Sequence, residues 1–302
     1  MTVVVAGGAG TLGRLVLTEL QAAHQPVRAL VRDATTARQV LGGDVEIVAA
    51  DVREPATLPP ALAGASVIVS AVHGFLGGRG DGPQAVDRDG NANLVNAARE
   101  AGAHVVLVSV VGAEPDSPLD LFRMKFAAEQ HLRRSGVPWT IIRATAFLET
   151  WISVLQQTRG RSGRPLVFGH GQQPIAFVSA RDVAVVASEA ATDPRMRGRL
   201  IEICGQQQLT MSELAEAVQT AAGLDAPPRH LPRPLLRLLA ATASPISPVT
   251  ARQNRAAIVM DTCQPPGTPR PVDEFVVGRH STSAADLLAV AGPPRSTRSP
   301  GL

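Results

Sequence analysis

Glycines at positions 7, 10 and 13 stand between an apolar, β-branched run, Val3-Val4-Val5, and a stretch with Leu12, Leu15, Val16 and Leu20 at helical spacing. Strand, glycine turn, helix is the context in which such glycines bind a dinucleotide. Glycine lets the chain turn sharply and lets its backbone approach a pyrophosphate. The unpaired N–H groups and dipole of the helix start then stabilise phosphate charge. Gly7, Gly10, Thr11, Leu12 and Gly13 are therefore the expected phosphate-side contacts. The alternative is a tight strand–helix turn that holds no ligand.

Further chemistry-bearing residues fall where the following strands end. Arg32 closes the second apolar strand, where an acid suits the ribose of NAD and an arginine suits the 2′-phosphate of NADP. NADP (NADPH) is the expected cofactor, although Asp33 is adjacent. Asp51-Val52 follows the third strand; the acid is placed to accept from an adenine amino group, or else is a plain turn aspartate. The fourth strand runs into Ser70-Ala71-Val72-His73-Gly74. The small Ala71 and Val72 leave room for a cofactor across the strand ends, and His73 is a candidate acid or base near neutral pH. Its alternative role is that of a solvated loop histidine. Two oddities of composition add to this: the chain has no tyrosine, and Lys125 is its only lysine.

These residues need elements to hold them. Apolar strand patterns recur at residues 27–31, 45–49, 66–70, 105–108, 139–143 and 200–203. Helical patterns alternate with them. One covers 91–100 and is ended by Gly102 as a C-cap. Another starts at Ser117 (N-cap), Pro118 (N1) and Asp120 (N3) and stops near Ser135-Gly136. Ser179 through Asp182 and Thr210 through Glu213 read as capping boxes. The alternation predicts an α/β fold, a doubly wound Rossmann-type parallel sheet, with a small, mostly helical C-terminal substrate lobe. The expected division is 1–204 for the nucleotide-binding domain, 205–291 for the lobe, and 292–302 for a disordered tail rich in proline, glycine and serine.

Composition excludes several classes. The 302 residues carry a net charge of +3, and aromatics make up 3%, too few for stacking platforms, so no nucleic-acid partner is expected. No apolar run spans a bilayer and no basic leader precedes the first strand, which points to a cytoplasmic protein without a membrane partner. The two cysteines give neither a disulfide framework nor metal-ligand spacing, so no metal is expected. Arg159, Arg161 and Arg164 cluster in a stretch read as a solvated loop, or as a contact for a phosphate-bearing substrate.

The glycine turn, Val31-Arg32-Asp33, Ala50-Asp51-Val52, Ser109-Val110-Val111-Gly112 and the stretch from Lys125 through Phe147 together resemble the atypical short-chain dehydrogenases/reductases, in particular the NmrA-like, NAD(P)-binding group. The resemblance covers roughly the first 220 residues. Members with the usual chemistry carry a tyrosine four residues before the lysine; here that position is Leu121, and the helper-hydroxyl position is Val111. The resemblance thus implies the fold and cofactor but not the usual proton relay. In related reductases of the isoflavone-reductase type a lysine works without that tyrosine, so Lys125 is expected as cofactor contact and, with His73, as a catalytic candidate. The resemblance also places Ala144 and Phe147 beside the nicotinamide, with Phe147 walling the substrate pocket and Phe75, Val111 and Trp151 completing it. It implies an NADP(H)-dependent oxidoreductase passing hydride to a small hydrophobic carbonyl, quinone or enone. The alternative is a non-catalytic NADP(H)-binding redox sensor or regulatory protein. A homodimer is common in that superfamily.

Overall fold

The computed structural model describes residues 1–224, 226–243, 247–262, 274–277 and 283–291. In chain order the elements are β1 (Thr2–Ala6), α1 (Thr11–Ala22), β2 (Val27–Val31), α2 (Ala34–Leu41), β3 (Glu46–Ala49), α3 (Leu58–Leu62), β4 (Ala65–Ser70), α4 (Asn91–Ala101), β5 (His104–Val110), α5 (Asp120–Arg134) and β6 (Trp139–Ala144). They continue with α6 (Leu148–Gln157), β7 (Leu166–Phe168), α7 (Ala180–Thr192), β8 (Leu200–Cys204), α8 (Met211–Ala221), β9 (Arg229–Leu231), α9 (Arg233–Ala243), α10 (Pro248–Thr262), β10 (Glu274–Val277) and α11 (Ala284–Ala291). Eight strands form one sheet in the order β10-β8-β6-β5-β4-β1-β2-β3. Every pairing in it is parallel. The strand order reverses at β1, and in such sheets ligands bind outside the carboxyl ends of the strands at that point.

The pattern of β1 explains the two-sided core. Val3 and Val5 face one layer, packed with Val16 and Leu20 of α1 and Val183 and Ala187 of α7. Val4 and Ala6 face the other, with Leu58, Leu62, Leu94, Ala98 and Leu132. Period-two alternation sends consecutive side chains to opposite faces, and because both faces are covered every residue must be apolar. Each buried valine or leucine contributes about 1.5–3 kcal/mol.

Several local expectations change. The helix after β5 begins at Asp120 with Leu119 as N-cap, not at Ser117. Ser117 instead spends its carbonyl on Arg123 at 2.5 Å. Ser179 does cap α7, its hydroxyl accepting from the Arg181 N–H, and Glu149 of α6 adds a carboxylate that takes the Ala180 N–H at 2.9 Å. Thr210 and Glu213 form a full capping box. A π-helical stretch, Gln84–Gly90, precedes α4.

The division at residue 204 is crossed in both directions. A third core cluster joins Leu148, Ile152, Leu155, Val167 and Phe177 to Met211, Leu214 and Leu288, so α6 and β7 pack with the C-terminal helices. In return β10 pairs with β8 at the edge of the large sheet. Two arginines of the stretch read as a solvated loop are tied to the C-terminal part: Arg159 donates to the Val218 carbonyl at 2.6 Å and Arg164 to that of Pro227 at 2.7 Å. The expected tail, 292–302, lies outside the described residues.

Candidate cofactor and reduction site

The turn between β1 and α1 admits only glycine at two places. Gly7 has φ +79, and a Cβ there would stand 3.1 Å from the Ala71 carbonyl oxygen. At Gly13 a Cβ would lie 2.2 Å from the Gly7 carbonyl oxygen, well inside contact distance. The Gly10 N–H closes the turn onto that same oxygen at 2.9 Å, and Gly10 caps α1 without a side chain. Among the described residues the N–H groups of Thr11, Leu12 and Gly13 meet no acceptor. A close-approach cradle followed by three free donors fits a pyrophosphate. Leu12 itself packs in the core, so its contribution to a ligand is its N–H.

At the adenosine end Arg32 follows β2 with its side chain 59% exposed, 3.2 Å from Asp81. Asp33 caps α2, accepting from the N–H groups of Thr35 and Thr36 and from the Thr36 hydroxyl, which holds it below the usual carboxylate range. Asp51 is gripped by Arg53, whose Nε lies 3.0 Å from Oδ1 and whose Nη2 lies 2.5 Å from Oδ2. That guanidinium lowers its pKa. Val52 turns into the core, and its carbonyl accepts from the Asn93 side-chain amide at 2.9 Å.

Where the nicotinamide is expected, a buried ion pair organises the strand ends. Lys125 reaches across from α5 and donates to the carbonyls of Val72, at 2.9 Å, and Val108, at 3.0 Å. Its Nζ lies 3.1 Å from Asp87 Oδ1, in the π-helical stretch, and the two side chains are 5% and 0% exposed. The other oxygen of Asp87 accepts the Gly74 N–H at 2.8 Å. Lys125 and Asp87 together therefore fix the chain from Val72 to Gly74, and Ala71 is tied to Ala6 by its N–H. His73, between these anchors, is open to solvent. Crowding by surrounding protein, and then the Lys125 charge, push its imidazole below the usual histidine range, against a smaller pull from Asp87.

The expected apolar wall is only partly assembled. Ala144 is buried, its carbonyl taken by the Val111 N–H, so it contributes backbone shape rather than a side chain. Phe147 is half-buried and packs against the core beneath the sheet ends, while Trp151, one turn later, faces the third cluster. A cavity there is lined by Trp151, Phe168, Met211, Ala257, Met260 and Asp261. Of the four expected wall residues, Trp151 lines it. Phe75 is held by its carbonyl, which accepts from Arg252 of α10 at 2.6 Å.

Residues 7–194 match the model of a family described as NAD(P)H-binding. The chain belongs to this NAD(P)H-binding family. It is 34% identical over 223 residues to an NAD(P)H azoreductase of Xenophilus azovorans, covering 73% of this chain and 74% of that one. It is 27% identical to a photosystem II assembly factor of Trieres chinensis, over 79% of this chain and 75% of the other. The fold is shared with an NADPH-dependent quinone oxidoreductase from Escherichia coli, solved with NADPH, at a TM-score of 0.72 and 20% identity, covering 96% and 99% of the two chains. Family membership accounts for the glycine cradle and the free helix start.

Sequence reasoning missed Asp87, Arg53, Asp81 and Arg252. Asp87 stands in a polar run, Gln84 through Gly90, with no periodicity to mark it as buried. Arg252 lies 177 positions from the loop carbonyl it holds. Only the lone lysine signalled that a buried acid was needed near it.

Proposed function

We propose that the chain is an NADPH-dependent reductase whose acceptor is a small, apolar, conjugated molecule, with quinones and enones preferred to simple ketones. The observation that carries this reading is the engagement of Lys125 by Val72, Val108 and Asp87, in a chain without tyrosine. Bound across the strand ends, the reduced nicotinamide supplies hydride. The chain supplies the rest. The start of α1 holds the pyrophosphate, Arg32 takes the 2′-phosphate, and the Lys125–Asp87 pair sets the floor under the reacting ring. His73, its pKa lowered by crowding and by the Lys125 charge, is placed to offer a hydrogen bond. An acceptor that becomes a delocalised anion on gaining hydride then takes its proton from water, whereas a simple ketone would have to become an alkoxide.

The named activities of the relatives, azo and quinone reduction, are consistent with conjugated acceptors. The test is NADPH consumption with a panel of a naphthoquinone, an azo dye, a cyclic enone and an aliphatic ketone. Conjugated acceptors are expected to exceed the ketone at least tenfold in kcat/KM. Preference for the ketone would mean that a proton donor operates, and tight NADPH binding without turnover of any acceptor would favour a regulatory nucleotide-binding protein.

A further inference from the structure

The loop from Gly74 to Gly82 begins at the end of β4, yet its Asp81 reaches the residue that follows β2. In the sheet β1 lies between those strands, so the loop crosses in front of the glycine turn, over a span of about 10 Å. It is folded tightly on itself. A Cβ on Gly77 would lie 1.7 Å from the Asp81 carbonyl oxygen, and one on Gly74 would lie 2.6 Å from Gly82. Arg252 fastens its stem through the carbonyls of Gly74, Phe75 and Gly77, at 2.8, 2.6 and 3.2 Å. At its far end Asp81 meets two cations, Arg32 through Oδ2 and Arg53 through Oδ1. Asp51 holds Arg53 from the other side, so Arg53 stays in place without Asp81.

We propose that Asp81 is a built-in competitor for the cofactor's 2′-phosphate, that Arg53 is a second cation for that phosphate beside Arg32, and that Asp81 thereby sets the preference between NADPH and NADH. The inference rests on the cofactor reading above. A phosphate carrying close to two negative charges and a carboxylate cannot both sit against the same pair of guanidinium groups without repulsion. NADPH must therefore displace Asp81, while NADH, with a ribose hydroxyl at that place, need not. An acid beside the ribose accepts from that hydroxyl.

The experiment is calorimetric binding of NADPH and of NADH to the full chain, to Asp81→Asn and to Arg53→Gln, at low salt. Asp81 is a surface residue, so its variant is expected to fold as the parent does. Asp81→Asn is expected to lower the NADPH Kd about three- to fivefold, the range of an exposed ion pair, and not to lower the NADH Kd. Arg53→Gln is expected to raise the NADPH Kd by a similar factor and leave that of NADH in place. Both effects are expected to shrink at high salt. If the chain binds both nucleotides and Asp81→Asn leaves their ratio unchanged, this inference alone is overturned. If the parent chain binds neither, the cofactor reading falls and takes this inference with it.

Discussion

Replacing Lys125 by methionine separates a positioning lysine from a catalytic one. The substitution keeps the stem and removes the charge, which strands Asp87 at 0% exposure with only the Gly74 N–H as partner. Breaking one half of a buried ion pair costs about 3–5 kcal/mol. At roughly 2 °C per kcal/mol for a chain of this size, the melting temperature should fall by about 6–10 °C. The carbonyls of Val72 and Val108 also lose a donor, and this part is not tied to Asp87. The double variant Lys125→Met/Asp87→Asn removes the stranded charge but not the loss at the carbonyls. It should recover about half of the deficit, about 2 kcal/mol, and the coupling exceeds that by whatever Asp87→Asn costs alone. Thermal denaturation of the four proteins of the cycle gives the coupling, and steady-state kinetics gives the rest. A positioning role predicts that NADPH affinity and kcat/KM recover together in the double variant. A proton donor predicts a kcat loss of about 10²–10⁴ that Asp87→Asn does not restore. A double variant as unstable as Lys125→Met, or a single variant within about 1 kcal/mol of the parent, would refute the reasoning.

Three further outcomes follow from the same geometry. Gly13→Ala must open the turn by about 1 Å to clear the Gly7 carbonyl, so it should cost about 1–3 kcal/mol and weaken NADPH binding at least tenfold, while Gly43→Ala, with open space around it, should do neither in parallel titrations. His73→Asn should lower kcat/KM for a quinone at pH 7 by less than tenfold, because crowding and the Lys125 charge lower its pKa and disfavour the protonated ring; a loss of about 10² or more would restore it as an acid. His104 is buried on β5 against the Thr140 hydroxyl at 3.0 Å, and burial, then Arg197, push its pKa down to about 4. The unfolded chain takes up that proton near 6.5, so the associated stability is full above that pH and is lost as the pH falls toward 4. The whole window is worth about 3 kcal/mol, and urea midpoints at pH 7 and 4.5 should differ less in His104→Gln than in the parent.

Local pattern fixed much of this in advance, and its limits are physical. The strand at 27–31 appears with those bounds because a short apolar run between turn residues has no other stable place than a covered sheet. Gly102 ends α4 at φ +66, a conformation that glycine adopts without cost. Thr210 and Glu213 satisfy each other three residues apart, within the reach of a sequence window. Glu149 caps a helix that starts 31 positions later, and Asp81 pairs with an arginine 49 positions earlier. No periodicity encodes such partners; they exist only once the sheet has brought the strand ends together. The start of α5 shows a local signal overridden in the same way, since Arg123 turns back onto Ser117 and Asp120.

The two departures from the family's usual relay belong to one arrangement. A lysine that lowers a tyrosine pKa must turn its ammonium toward the ribose and the phenol. Here the tyrosine position is Leu121, and the ammonium instead faces two carbonyls and a buried carboxylate. Taking Asp87 fully out of water is costly unless a cation meets it, and Lys125 is the only residue of its kind in the chain. Its retention thus follows from Asp87 and the loop after β4, independently of any proton transfer. The same pair leaves a positive and a negative charge beside His73, and crowding by surrounding protein, with the Lys125 charge, lowers the pKa of the ring against the pull of Asp87. On the proposed function, a site built this way would orient hydride transfer and leave the proton to solvent, which would restrict productive acceptors to those whose reduced form tolerates a negative charge until water protonates it.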